Sequence, residues 1–301
     1  MSLEIVCVVV TFNPQLERLH GLIEELGSQV ARIVVVDNNS APDIQESIKS
    51  WSHAALHVLT LSDNLGIAAA QNQGIAVALQ HRCDAVVFFD QDSQVGSCFI
   101  SALAEPFRDP SIGISAPVLI DEHQGFEYPI VNISSSGRRQ KFRPGESGCA
   151  IDVSVVISSG TMVKREVLEA AGGMDSRLFI DYVDTEWCLR CARLGWLVRI
   201  SPQAQMLHSI GEQVLKIGRF RVPIHTPERR YYRIRNAFLL LRYTHVPTLM
   251  CIQEIVVGFA HQLVHVLLTK HKQAHVRFYL QAVWDGIRGA AGPYRSRDRH
   301  D

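Results

Sequence analysis

Two carboxylates one residue apart close an apolar run in VVFFDQDSQ, residues 86–94. Val86 to Phe89 read as a buried strand, so Asp90 and Asp92 arrive together at its carboxyl end, where open α/β sheets bind ligands. Unpaired carboxylates withdrawn from water are costly, and a divalent cation offsets that cost. A cation held by one or two protein carboxylates keeps coordination positions free for a substrate diphosphate. Taken alone, the triplet fits a polar turn equally well.

Three further segments bear on the choice. IVCVVVTFNP, residues 5–14, is a β-branched strand stopped by Asn13-Pro14, and RIVVVDNNS, residues 32–40, is a second strand ending in Asp37. LERLHGLIEEL between them has helical spacing, which makes a β-α-β unit. A carboxylate at its second tip suits nucleoside recognition, although Asp37 also fits as the cap of the next helix. Asn64 and Gly66 then form a turn ahead of a small-residue helix. In LFIDYVDTEWCLRCARLGW, residues 178–196, Asp181, Asp184 and Glu186 gather before a helix. Glu186 and Arg190 stand one turn apart as an ordinary ion pair, and acids in a first turn suit the helix dipole. Asp184 lacks so obvious a local partner and is the preferred general base. His208 in MLHSIGE follows a strand; it fits a structural role, or an imidazole completing the metal site begun by Asp92.

In combination these motifs resemble an inverting family 2 glycosyltransferase of GT-A fold, over residues 5 to about 215. DQDS at 90–93, ISSGTMV at 157–163, LFIDYVDTEWCLR at 178–190 and RRYYRIRNAF at 229–238 look most like bacterial rhamnosyltransferases. The fold so implied is a mixed α/β sheet flanked by helices, with residues 1–215 as the catalytic domain and 216–301 as a basic, amphipathic helical extension. The resemblance implies that Thr11, Asn13 and Asp37 hold the nucleoside and that Asn64 and Gly66 line the same pocket. Asp90 would meet ribose or metal-bound water, and Asp92 and His208 would bind Mg2+ or Mn2+. Asp184 falls at the base position. Many relatives have Glu-Asp where this chain has Val183-Asp184, with an extra acid at Asp181, so the division of labour between Asp181 and Asp184 stays open. The implied reaction transfers L-rhamnose from dTDP-L-rhamnose, with inversion, to a lipid-linked saccharide or glycolipid. Another nucleotide sugar is the alternative donor.

Composition speaks to the acceptor. Residues 1–215 hold 15 Lys and Arg against 25 Asp and Glu, and residues 216–301 hold 15 against 5, so a net charge of zero hides a strong asymmetry. A basic tail favours anionic membranes or phosphates. VPTLMCIQEIVVGFAHQLVHVLLTK, residues 246–270, is interrupted by Gln253, Glu254, His261, Gln262 and His265. It is a poor transmembrane span and fits an interfacial helix, or a core or dimer-packing one. Arg229, Arg230, Arg233 and Arg235 alternate with Tyr231 and Tyr232, a pattern for clamping a diphosphate or for a solvated basic face. SSSGRRQKFRPGESG, residues 134–148, reads as a mobile basic loop.

Seven cysteines without paired spacing fit reduced thiols, and Cys188-x-x-Cys191 has no second half for zinc. With no apolar leader, the expected location is cytoplasmic, peripheral at the inner face of the bacterial membrane. Nucleic acid is not an expected partner, and a homo-oligomer is left open. A dinucleotide oxidoreductase lacks its Gly-x-Gly-x-x-Gly turn, and a P-loop enzyme its Gly-x-x-x-x-Gly-Lys. A noncatalytic membrane-associated scaffold would leave the acid clusters idle.

Overall fold

The computed structural model describes residues 3–122, 124–143, 150–208, 214–217, 220–223, 225–268 and 272–295. Its centre is a mixed sheet whose first four strands are parallel: β1 (Ile5–Thr11), β2 (Arg32–Asp37), β3 (Leu56–Thr60) and β4 (Ala85–Asp90), in the order β3-β2-β1-β4. Helices α1 (Leu16–Gly27), α2 (Pro42–Ser50) and α3 (Ile67–Gln80) connect them. Val6, Val8 and Val10 enter one core with Val86 and Phe88, while Cys7 and Val9 enter the other with Val87 and Phe89. Burial on both faces explains why these strands are continuously apolar. The small residues of α3 also have a packing reason, since a Cβ on Gly74 would lie 2.3 Å from a Val8 methyl.

Downstream come β5 (Gln94–Val95), α4 (Phe99–Ala104), β6 (Ile112–Asp121), β7 (Ile130–Ile133), β8 (Arg139–Phe142), β9 (Ile151–Val153) and β10 (Met162–Lys164). They are followed by α5 (Arg165–Ala171), α6 (Val183–Arg193) and β11 (Leu197–His208). The sheet continues from β4 through β10, β6 and β11 to β5, with β10 antiparallel to both neighbours and β11 parallel to β6. Because β1 pairs with β2 on one side and β4 on the other, a crevice opens at their carboxyl ends. Thr11, Asp37 and Asp90 are the last residues of their strands there. Part of the basic segment expected as a loop is instead β8, which pairs with β7 because its extended residues find a partner strand; residues 144–149 lie outside the described residues.

The C-terminal extension begins with a hairpin, β12 (Val214–Ile217) and β13 (Phe220–Pro223). Helices α7 (Pro227–Leu240), α8 (Thr248–Leu268) and α9 (Lys272–Arg288) then pack on one another. Helix α7 is tied to the segment ahead of α6 through the fully buried Asn236, whose amide donates to the carbonyls of Leu178, Ile180 and Asp181 at 2.9, 2.8 and 3.0 Å. Arg235 adds donations to Arg177 and Leu178 carbonyls at 3.2 and 3.0 Å. Replacing Asn236 by Leu leaves buried acceptors without donors, at about 1–3 kcal/mol for each unsatisfied group. We expect Asn236→Leu to lower the urea midpoint by the equivalent of at least about 2 kcal/mol, checked by equilibrium unfolding followed by circular dichroism.

Candidate active site

A polar lattice joins the loops after β1, β2 and β3. Thr11 is fully buried, and its hydroxyl donates to Asp37 Oδ1 at 3.0 Å. The Ser40 backbone N–H donates to Asp37 Oδ2 at 3.0 Å, and its hydroxyl donates to Oδ1. Asp37 therefore has most of its acceptor positions filled, and Thr11 orients it. Asn13 accepts from Ala41 N at 2.9 Å, and its own N–H donates to Ser40 Oγ at 2.7 Å. Asn38 donates to Asn64 Oδ1 at 3.0 Å, and Asn64 accepts Gly66 N at the same distance. The expected nucleoside residues thus form one rigid rim. Gly66 has φ +84°, and a Cβ there would lie 2.5 Å from the Phe179 carbonyl oxygen, so only glycine fits.

Phe179, Asp181 and Tyr182 all have φ between +62° and +65°. Left-handed backbone is unfavourable for side chains of this kind and persists only where the surroundings over-determine it. Asn236 holds the loop from below, and Phe179 stacks on Tyr232 at 4.6 Å between centroids. Tyr182 donates to Glu254 of α8 at 2.5 Å, Arg139 of β8 pairs with the same carboxylate, and the Arg233 guanidinium lies 5.8 Å from the Tyr182 ring centroid.

This loop delivers Asp181 and the first turn of α6. Asp184 Oδ2 accepts the Ser158 N–H at 3.1 Å, and Ser159 Oγ accepts the Asp90 N–H at 3.1 Å. The Ser158-Ser159 pair therefore links the tip of β4 to the start of α6. Burial pushes the Asp184 carboxyl up to about 6, opposed by the Ser158 N–H and reinforced by the Asp90 charge. Asp90 is also raised to about 6, by burial first and then by Asp92, against the Ser159 hydrogen bond and Arg229. Asp181 Oδ2 is buried, and its ion-pair contact is Arg229 Nε at 3.7 Å.

Pairing of β11 with β5 brings the end of β11 beside the strand that follows Asp92. His208 Nδ1 is buried without a hydrogen-bond partner; burial lowers the imidazole pKa, opposed by the charge of Asp92. A neutral imidazole with an open nitrogen near a carboxylate fits as half of a cation site. Among the described residues no three His, Cys, Asp or Glu side chains converge to hold a metal, so further ligands would come from substrate phosphates or water.

Two expected site residues are used elsewhere. Arg230 is 2% exposed and donates to the Gly258 carbonyl at 2.7 Å and to Gln262 at 3.3 Å, so it fastens α7 to α8. One residue along a helix is a 100° rotation, and Arg229 is the arginine turned towards Asp181 and Asp90. Arg235 likewise points inward, which replaces the expected phosphate clamp with a clamp on backbone carbonyls. Glu186 is 1% exposed; its two oxygens meet Arg190 at 2.9 and 3.0 Å, and His245 lies 2.8 Å away, so it braces α6. Sequence assigned no site role to Ser158, Ser159, Tyr182 or Glu254, and among the clamp arginines it did not single out Arg229. The Ser-Ser-Gly spacing carried a signal for the serines; nothing local marked Glu254 as a partner of Tyr182.

A cleft of about 900 Å³ lies at the opposite ends of the strands, around Ile5, Asp84 and Lys164. Arg165 on its wall is already bonded to Glu169 at 2.7 Å and to the carbonyls of Leu79 and His81. It lacks the carboxylate crevice's convergence of raised acids and strained backbone.

The family described as Glycosyl transferase family 2 matches residues 6–172. The dTDP-rhamnosyl transferase RfbF of Shigella flexneri is 44% identical over 292 residues, covering 97% of this chain and 98% of the relative. The N-acetylglucosaminyl-diphospho-decaprenol L-rhamnosyltransferase of Mycobacterium tuberculosis is 25% identical over 238 residues, covering 68% and 75%. Among solved structures, S. aureus TarS 1-349 in complex with UDP-GlcNAc gives a TM-score of 0.58 at 15% identity, covering 95% of this chain and 81% of that one. GalNAc-T7 with UDP, GalNAc and Mn2+ gives 0.57 at 16% identity, covering 86% and 55%. These likenesses show a shared GT-A fold.

The raised Asp184 binds its proton more tightly when folded than when unfolded, so its contribution to stability is fullest near pH 4 and is lost as pH rises through about 6. Asparagine cannot ionise. We expect Asp184→Asn to raise the stability of the ligand-free protein at pH 7.5 by roughly 1–3 kcal/mol and to have little effect near pH 4, checked by thermal melts at both values.

Proposed function

The chain belongs to glycosyl transferase family 2, and on that premise we propose that it transfers L-rhamnose from dTDP-L-rhamnose to a saccharide in cell-surface polysaccharide biosynthesis. The observation that carries this reading is the raised, half-buried Asp184 beside Asp90 at the crevice, joined to the full-length likeness to a dTDP-rhamnosyl transferase. The acceptor hydroxyl gives its proton to Asp184 as its oxygen attacks the anomeric carbon. The bond to the diphosphate breaks with its electron pair leaving on the nucleoside diphosphate, so a single displacement inverts the centre. Asp181 positions this turn, and Arg229 faces the developing phosphate charge. The loop network of Thr11, Asn13, Asp37 and Asn64, with Gly66, shapes the nucleoside rim. Asp92 and His208 would hold Mg2+ or Mn2+, which when bound offsets charge on the leaving group.

The acceptor in this reading is lipid-linked or a glycolipid, met at an anionic membrane surface. Helix α8 is long and apolar enough to cross a membrane, with mean hydropathy 1.5, and 22% of that apolar stretch is buried. Its amphipathicity is inverted: Glu254, Gln262 and His265 face inward, while Ile252, Val256, Phe259, Leu263 and Leu267 are exposed. Leu280, Trp284 and Ile287 of α9 are exposed as well. Buried polar groups and an outward apolar face suit a hairpin lying on lipid, with the basic charge of residues 216–301 drawing it to anionic headgroups.

Purified protein should be stabilised more by dTDP-L-rhamnose than by UDP-sugars in a thermal-shift screen. Asp184→Asn is expected to keep donor affinity and lose at least about 100-fold in turnover, and kcat/KM of the wild type should fall as pH drops below about 6. Excess EDTA and Asp92→Asn should each remove transfer; unchanged turnover in EDTA would sink the metal site. For the membrane, Phe259→Glu with Leu263→Glu should abolish flotation with phosphatidylglycerol vesicles, and salt should weaken wild-type binding. Flotation by the folded double variant equal to wild type would remove that role.

A further inference from the structure

A second cavity, of about 240 Å³, opens against Asp184. Its lining includes Ala116 and Leu119 of β6, Ile130 at the start of β7 and Val156 in the segment after β9. Asp184 and Thr185 line it too, and its other hydroxyls are already engaged: Tyr128 donates to Asp121, Thr161 donates to the Ile157 carbonyl at 2.6 Å, and Ser159 accepts the Asp90 N–H at 3.1 Å. A mostly apolar pocket that also meets the Asp184 carboxylate selects a ligand that is greasy at one end and hydroxylated at the other. The volume lies below the range of about 300–1,000 Å³ typical of drug-sized ligands, so the space suits one small ring substituent rather than an extended chain.

We propose that this cavity is the specificity pocket for the acceptor, and that it takes the methyl-bearing side of the acceptor sugar, the methyl of a deoxy carbon or of an acetamido group, while the attacking hydroxyl of the same sugar meets Asp184. The inference rests on the transferase reading. A methyl buried between Ile130 and Val156 displaces water from apolar surface. A hydroxymethyl or hydroxyl in its place would bring a polar group among apolar side chains and hydroxyls already committed to protein partners. One methyl-sized difference in an apolar pocket discriminates by about 10–200-fold.

The test uses the full-length protein with dTDP-L-rhamnose and two matched acceptor pairs. Methyl α-L-rhamnoside against methyl α-L-mannoside isolates the deoxy methyl, and methyl N-acetyl-β-D-glucosaminide against methyl β-D-glucoside isolates the acetamido methyl. The wild type should favour the methyl-bearing member of one pair by at least about 10-fold in kcat/KM, and the responding pair identifies the source of the methyl. Val156→Phe and Ile130→Phe each fill part of the cavity from its lining. Each should reduce that preference to less than about 3-fold and leave acceptor-independent donor hydrolysis unchanged. Absence of preference in both pairs, or full preference retained in both variants, overturns the pocket while leaving the transferase reading intact. Should the wild type neither transfer nor hydrolyse the donor, the transferase reading fails instead. Saturation-transfer NMR on the glycosides then decides the pocket by itself: strong methyl saturation lost in both variants supports it, and uniform saturation refutes it.

Discussion

The crevice depends on one amide. Asn236 donates to three carbonyls of the 178–181 segment, whose backbone turns through left-handed conformations at Phe179, Asp181 and Tyr182. Such a turn does not hold itself, because side chains at positive φ crowd their own backbone. With the turn held, the Phe179 carbonyl meets the only residue type that Gly66 can be, Asp181 comes to Arg229, and α6 starts with Asp184 against Ser158. The rim after β3, the acid cluster and the C-terminal helices therefore share one fixed point. A carboxylate placed this way is held in position before any ligand arrives.

The acids themselves oppose folding. Asp90 and Asp184 are withdrawn from water near one another, and both are raised to about 6. The Ser158 N–H on Asp184 and the Ser159 hydroxyl beside the Asp90 carboxyl offset part of that cost without cancelling it. Asp184 is poised near neutrality and takes the Ser158 N–H, whereas both oxygens of Glu186 two residues later are held by the Arg190 guanidinium. Burial alone does not set how a carboxylate is used; its partners do.

The C-terminal hairpin connects this chemistry to the surface. Glu254 lies on the inward face of α8 and receives both the Tyr182 hydroxyl and Arg139, so a helix with an exposed apolar face is bonded to the residue between Asp181 and Val183. Arg230, Gln262 and the Gly258 carbonyl close the same seam. The polar interior of the hairpin is held by direct hydrogen bonds, which leaves its apolar residues for the outer face.

Sequence determined what depends on local pattern. The apolar runs of β1, β2 and β4, the helical spacing of α1 and the acids at the strand ends were legible because strand burial and termination are properties of a few adjacent residues. The Glu186–Arg190 pair was legible for the same reason, being one helical turn long. Tertiary structure decided which arginine of the 229–235 run faces the carboxylates, since a rotation of 100° separates Arg229 from Arg230 and only the packing of α7 on α8 fixes the zero of that rotation. It also decided that Asn236 reaches carbonyls more than fifty residues away, and that the apolar side of α8 lies outside while its polar side lies within. Partners so distant in the chain leave no periodic trace, because what selects them is the shape of the packed interior rather than the order of neighbouring residues.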